Sequence, residues 1–133
     1  MMRSGPVNDG YPRNFRPDEF RCNCAGNCTP PDPSATRHLA WVLQQIRDLV
    51  NVPLSINSAY RCPAHNKKVG GAPKSKHLLG IAADLQPHGL GTEELHEAIE
   101  DLVKSKRIPE GGLGLYYSFV HYDIRPDKAR WNG

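Results

Sequence analysis

The residues best suited to chemistry lie in two short stretches, one in the middle of the chain and one near its end. The first reads S-K-H-L-L-G-I-A-A-D from residue 75 and contains His77 and Asp84. The second reads F-V-H-Y-D from residue 119 and contains His121 and Asp123. Two imidazoles and one carboxylate form the ligand set of a zinc site that keeps a position open for water or substrate. The residue types therefore predict a metal site at His77, Asp84 and His121.

The setting of these residues strengthens the prediction. Asp84 lies in the apolar run I-A-A-D-L, where a carboxylate is costly unless it is paired or binds a cation. His121 and Asp123 alternate in a hydrophobic segment, so in a strand both side chains point to one face. The structural alternative is a buried hydrogen-bonded His–Asp pair with no metal.

Composition limits the classes of protein that the chain can represent. Its 133 residues suit one domain, and 38% apolar residues with 12 Gly and 12 Pro favour a loop-rich mixed fold. The net charge of +3, without a basic run that alternates with aromatic residues, does not indicate a nucleic-acid partner. No apolar run approaches the roughly 20 residues that span a bilayer. No leader sequence is visible at the start, so we expect the protein to be made in the cytoplasm and not to insert into a membrane. We also expect it to be a monomer and to need delivery if it acts outside the cytoplasm.

Local patterns predict an arm and then a domain. Residues 1–16 are rich in Pro, Gly and Asn and predict an extended arm that Phe15 and Phe20 pin to a domain over residues 17–133. The predicted elements are a helix from Ser34 to Val50, a strand over 54–57, an irregular loop over 62–76, a strand over 80–85, a helix from Thr92 to Lys106, strands over 114–116 and 118–124, and a polar tail over 125–133.

The four cysteines leave several chemical states open. Cys22, Cys24 and Cys28 are crowded as C-x-C-x3-C, and the fourth is Cys62. Four thiolates can bind a second, structural zinc ion, although the spacing matches no standard zinc-finger pattern. A disulfide to Cys62 in an oxidising compartment and four reduced thiols are the alternatives.

Further motifs add a resemblance to a known family. The first motif is S-A-Y-R from residue 58, and it is followed by Pro63, His65, Asn66 and then V-G-G from residue 69. Two longer motifs come next in the chain, S-x-H-x-x-G-x-A-x-D and then F-V-H-x-D-x-R. Together they resemble the M15 zinc D-alanyl-D-alanine carboxypeptidases and their murein endopeptidase relatives, which include phage lysis enzymes. The resemblance runs from about residue 20 to residue 125. It implies a small α+β domain with a central antiparallel sheet flanked by helices.

The resemblance also assigns roles. His77, Asp84 and His121 match the ligands of one catalytic zinc ion, and Arg61 matches an arginine that binds a substrate carboxylate. A guanidinium suits that task because it pairs bidentately with a carboxylate. Ser75 and Tyr116 are further candidates for contacts with the substrate.

The catalytic base is where the sequence departs from part of the family. Many members carry an acidic residue three positions before the last zinc-binding histidine, and here that residue is Ser118. A hydroxyl is a poor base at neutral pH. Asp123 is therefore assigned either as the general base or as a carboxylate that orients His121.

The resemblance predicts a zinc peptidase that acts on the stem peptides of peptidoglycan, encoded by a phage or prophage. The bond that it cuts stays open between terminal D-Ala-D-Ala, L-Ala-D-Glu and a cross-link. The alternative is a cell-wall-binding or virion module that has kept the metal-binding fold without the activity.

Overall fold

Five strands and three helices make up the part of the chain that the computed structural model describes, residues 10–26 and 28–133. The elements in chain order are α1 (Pro33–Val50), β1 (Leu54–Ser58), α2 (Pro63–Lys68), β2 (Ala82–Pro87), α3 (Thr92–Lys104), β3 (Gly112–Leu115), β4 (Val120–Asp123) and β5 (Ala129–Asn132). Short 3-10 helices cover Pro17–Phe20 and Lys76–Leu79. None of the helices in the described ranges is long and apolar enough to cross a bilayer.

The sheet has the strand order β1-β2-β4-β3-β5. The first four strands in that order pair antiparallel, whereas β5 pairs parallel to β3. The predicted α+β fold is confirmed, and the sheet is mixed because its last strand returns in the same direction as β3. The polar sequence over 125–133 gave no signal for that strand.

Helix α1 follows from its caps and its apolar face. The Asp32 side chain accepts a hydrogen bond from Ser34 N at 3.0 Å, and Pro33 occupies the first turn, where its missing N–H costs nothing. The helix ends at Asn51, which adopts a left-handed conformation with φ 54°. The predicted helix is confirmed, with Asp32 rather than Ser34 as its cap.

The hydrophobic core joins the two long helices to the sheet. Residues with no solvent exposure from α1, α3 and the central strands belong to one cluster: Leu39, Leu43, Ile46, Leu95, Ile99, Leu85, Leu113, Val120 and Tyr122. Burial of each such side chain contributes about 1.5–3 kcal/mol to stability. This packing fixes the central strands that carry the polar residues of interest.

The N-terminal side of the domain packs onto the same core. Tyr11, Phe15 and Phe20 are at most 5% exposed, and Phe20 O accepts a hydrogen bond from Tyr60 N at 3.2 Å. The predicted anchoring by Phe15 and Phe20 is therefore present. Residues 1–9 of the predicted arm lie outside the described residues.

The segment over 62–76 contains a helix, so the prediction of an irregular loop there was wrong. Pro63 is the first residue of α2, a position at which proline is favourable. Cys62 caps this helix, because its side chain accepts a hydrogen bond from His65 N. Asn66 is buried and donates from Nδ2 to Ala72 O at 2.9 Å. A Cβ on Gly71 would lie 2.1 Å from Asn66 Oδ1, so only glycine fits beside this asparagine.

Candidate metal centre

The 3-10 helix Lys76–Leu79 positions the imidazole of His77. Ser75 begins this turn, and its hydroxyl accepts a hydrogen bond from His77 N at 3.2 Å. Gly80 ends the turn with φ +74°, a left-handed conformation that glycine adopts without strain. The ring of His77 is 2% exposed, and its Nδ1 bonds to the backbone oxygen of Ala59. A carbonyl oxygen only accepts, so Nδ1 carries a proton, and Nε2 on the other side of the ring lies 3.2 Å from Asp84 Oδ1.

Two neighbouring strands carry Asp84 and His121. Residue 84 of β2 pairs directly with residue 121 of β4 in the antiparallel register. Directly opposed residues have Cβ atoms about 4.5–5.5 Å apart on one face of the sheet. The side chains meet there, with His121 Nδ1 at 3.0 Å from Asp84 Oδ1.

The three donor atoms have the spacing of a zinc site. Asp84 Oδ1 lies 3.2 Å from His77 Nε2 and 3.0 Å from His121 Nδ1, and the ligand atoms of all three residues lie within 4.8 Å of one another. Ligands at zinc bond lengths around a tetrahedral centre are about 3.4 Å apart. The residues therefore fit a zinc ion held by two nitrogens and one oxygen.

Asp123 supports His121 from the side away from Asp84. Its Oδ2 lies 2.7 Å from His121 Nε2, while Arg125 binds the same carboxylate through Nε at 2.8 Å and Nη2 at 2.7 Å. Its Oδ1 also accepts backbone hydrogen bonds from Gly112 and Arg125 at 3.1 Å each. A Cβ on Gly112 would lie 2.5 Å from this carboxylate, so glycine is required there. Asp123 has no solvent exposure, and its oxygens are already occupied.

The charges of this cluster reinforce one another. Burial raises the pKa of Asp84, but hydrogen bonds from His121 and His77 outweigh it and lower that pKa to about 2. Burial opposes ionisation of Asp123 as well, and the bonds from Arg125 and His121 hold its pKa below the usual range. Burial lowers the pKa of His121, yet its bonds to Asp123 and Asp84 raise it overall. In the metal-free chain, Asp84 and Asp123 thus both favour the protonated form of His121.

Arg61 lies next to this cluster through Ser75. Its Nη2 donates to Ser75 Oγ at 3.2 Å, and its backbone N–H donates to His77 O at 3.1 Å. Its Nε is buried without a hydrogen-bond partner among residues 10–26 and 28–133. An unpaired buried donor is costly, and a guanidinium is suited to a carboxylate. The structure thus places Arg61 and Ser75 beside His77.

Tyr116 contacts the cluster only indirectly. Its ring stacks on Phe119 with centroids 4.4 Å apart, and its hydroxyl accepts a hydrogen bond from Trp131 Nε1 at 2.8 Å. Tyr116 lies in the turn after β3 rather than in the predicted strand, because its N–H bonds to Phe119 O. It also lines a depression of about 960 Å³, whose lining includes none of the three candidate ligands.

Trp131 is the residue beside the site that sequence reasoning did not assign. Its ring lies 5.0 Å from that of His121, and the Arg125 guanidinium lies 5.3 Å from the indole centroid. Strand β5 places Trp131 opposite Gly114, where a Cβ would lie 2.4 Å from the indole. The sequence offered one signal for this contact, a glycine that leaves room for a large tryptophan. The two residues are far apart in the chain, however, and they meet only through the parallel pairing of β3 with β5.

The comparisons with known proteins agree with this fold and site. The family model described as Peptidase M15 matches residues 13–123, and the chain belongs to this family. The motif resemblance is thereby confirmed. The zinc D-Ala-D-Ala carboxypeptidase of Streptomyces albus G is 35% identical over 83 residues, which cover 58% of this chain and 32% of that protein. The chain thus spans about a third of the length of this curated relative.

Proposed function

We propose that the chain is a zinc-dependent peptidase that hydrolyses bonds in the stem peptides of peptidoglycan. The convergence of His77 Nε2, Asp84 Oδ1 and His121 Nδ1 on one point carries the proposal. Membership of the M15 peptidases supports the reaction type. The name of the Streptomyces relative supports a substrate that contains D-alanine. Origin in a phage and delivery to the cell wall stay predictions.

Each of the two ligand histidines is held by a partner of its own. Ala59 O fixes the ring of His77, and Asp123 fixes that of His121, so the nitrogen on the other side of each ring faces Asp84. A zinc ion bound there supplies a water of lowered pKa and a Lewis acid for the peptide carbonyl. The protein thus holds its donors in place before substrate arrives.

Arg61 is proposed to bind a carboxylate of the substrate peptide. Ser75 Oγ accepts from Arg61 Nη2 and from His77 N, so one hydroxyl fixes the substrate-binding group relative to a metal ligand. A carboxylate held by Arg61 would set the position of the scissile bond near the metal. This orientation favours reaction because it removes most of the freedom of the bound peptide.

Asp123 is proposed as a positioning residue and not as the general base. A base must reach the proton that it accepts, whereas both oxygens of Asp123 are occupied by Arg125, Gly112 N and His121. Its lowered pKa further weakens it as a proton acceptor. Its carboxylate instead keeps the Nε2 proton of His121 in place, which leaves Nδ1 free for the metal.

Digestion of purified peptidoglycan tests the activity. The reduced, zinc-loaded chain is incubated with the murein, and released fragments are identified by mass spectrometry. Loss of terminal D-alanine indicates a carboxypeptidase, while shortened stems or opened cross-links indicate an endopeptidase. A chelator and His77→Ala should each abolish release, and zinc should restore only the chelated wild type. His38→Ala, at an exposed histidine of α1, serves as the control. Unchanged murein in the presence of stoichiometric zinc would overturn the proposal.

A binding module without activity is the second candidate. It is favoured by the exposed Ser118 in place of an acidic residue and by the occupied carboxylate of Asp123. It predicts that the zinc-loaded chain co-sediments with murein that stays intact. The same digestion separates the two candidates.

A further inference from the structure

We infer that Cys22, Cys24, Cys28 and Cys62 form a second metal site, a tetrathiolate site for zinc that is separate from the histidine cluster. The four sulfur atoms lie within 4.8 Å of one another. Sulfur ligands around a tetrahedral zinc ion are about 3.8 Å apart, given zinc–sulfur bonds of about 2.3 Å. The observed spacing therefore suits one ion with four sulfur ligands.

The spacing of the four sulfur atoms favours one centre over two disulfides. All four cysteines are free thiols. Each of the four sulfur atoms lies within 4.8 Å of the other three, so no sulfur is placed beside one partner alone. Two disulfides would join the sulfur atoms in two separate pairs, whereas one central cation would be bound by all four sulfur atoms.

Backbone amides already point at two of the sulfurs. Cys22 Sγ accepts a hydrogen bond from Cys62 N at 3.3 Å, and Cys62 Sγ accepts one from His65 N at 3.4 Å. Amide donors stabilise the negative charge that a metal-bound thiolate carries. Four thiolates on a divalent ion leave two negative charges. Lys68 lines one of the two depressions that the cysteines border, and Arg21 lines the other. The surroundings are therefore suited to a negatively charged site.

The position of the cluster links it to the histidine site. Cys62 directly follows Arg61, whose N–H bonds to His77 O, and Ala59 in the same segment accepts the bond from His77 Nδ1. A metal ion bound by all four cysteines would cross-link this segment to the loop before α1. Such a cross-link closes a long loop of the chain, which stabilises the folded state. The cysteine site would thus fix the backbone that orients Arg61 and His77.

Metal content tests the inference on the full-length chain, reduced and loaded with zinc. Wild type should retain two zinc ions per chain after gel filtration, and the double variant His77→Ala/His121→Ala should retain one. Cys24→Ser/Cys28→Ser should also retain one, in the histidine site. Gly26→Ala is the matched control in the same loop, since a Cβ there meets no atom of residues 10–26 and 28–133 within 4 Å, and it should retain two. This design does not depend on peptidase activity, so it can fail or succeed independently of the proposed function.

Cobalt provides a readout that needs no cysteine substitution. The His77→Ala/His121→Ala variant loaded with Co²⁺ should show sulfur-to-metal charge-transfer absorption in the near ultraviolet and d–d bands of a tetrahedral site. A thiol-modifying mercurial should release that metal. Three results would each overturn the inference: no metal retained by this variant, metal without sulfur charge transfer, or an unreduced intact mass lower by two hydrogens per disulfide with no metal bound.

Discussion

The carboxylate of Asp123 lies 2.7 Å from His121 Nε2, and Arg125 binds the same carboxylate through two nitrogens. A ligand histidine is thus connected to a fixed carboxylate, and that carboxylate to a cation. Such outer partners set the ring orientation and basicity of a metal ligand. The arrangement explains why an aspartate two residues after His121 matters even though it does not face the other two ligands.

Asp123→Asn should lower zinc affinity more than the rate at saturating zinc. Loss of the carboxylate weakens the hold on His121, and outer partners of this kind change metal affinity by about 10- to 100-fold. Chelator competition gives the affinity, and kcat at saturating zinc gives the rate. Asp127→Asn, at an exposed aspartate, is the control. An unchanged affinity with a large fall in kcat would instead identify Asp123 as the general base.

Arg61→Lys should reduce kcat/KM by roughly 10- to 150-fold, which corresponds to about 1.5–3 kcal/mol for hydrogen bonds to a charged group. Lysine keeps the charge but cannot bind a carboxylate with two parallel donors. Zinc content should not change. An amidated substrate should react equally with wild type and variant, while Arg107→Lys, at an exposed arginine, should match wild type on both substrates. Equal losses on both substrates would contradict carboxylate recognition.

The metal-free chain should lose stability as the pH rises past the pKa of His121. The folded-state pKa of His121 is raised, so its contribution is fully present below the unfolded value of about 6.5 and is lost above the folded value. Urea unfolding of the chelated chain at pH 6 and pH 8 should show this trend, and His121→Gln should reduce it. With zinc the trend should reverse, because ligands must be deprotonated. An equal pH dependence in the variant would contradict the prediction.

At acid pH, the protonation of Asp84 should cause a second decrease in the free energy of unfolding of the metal-free chain. Its folded-state pKa is lowered to about 2, so its stabilisation is present above the unfolded value of about 3.9 and is lost as the pH falls toward 2. Unfolding free energies between pH 5 and pH 2.5 should fall less steeply in Asp84→Asn than in wild type. Parallel curves for the two proteins would mean that Asp84 is not responsible.

Gly114→Ala should destabilise the domain by about 1–3 kcal/mol, the usual cost of forcing extra volume into packed structure. The new Cβ would lie 2.4 Å from the Trp131 ring, which packs against His121. The double variant Gly114→Ala/Trp131→Ala should cost less than the sum of its single changes. Chemical denaturation measures both, with Gly26→Ala as the neutral glycine control. Additive costs would show that the two positions do not interact.

Much of the candidate site could be predicted because its residues carry local signals. Alternation places His121 and Asp123 on one face, and an aspartate within an apolar strand marks Asp84. The role of Asp123 could not be chosen, since Gly112 and Arg125 reach its carboxylate only in the folded sheet. Helix α2 was missed because Pro63, Gly70, Gly71 and Pro73 together indicated a loop, although proline is favourable in a first turn.

Strand β5 changes what counts as the minimal domain. The family match ends at residue 123, but the sheet continues through β5 to residue 132. A chain shortened to the matched range would keep the three donor atoms but lose β5, one of the two strands that pair with β3. The backbone hydrogen-bonding groups of β3, whose sequence is G-L-G-L, would then lie at an exposed, flat edge of the sheet. Such an edge can pair with a strand of another chain. Such a truncated protein would tend to aggregate and would also lack Arg125, which binds the Asp123 carboxylate. Its loss of activity would therefore not by itself identify a missing catalytic group.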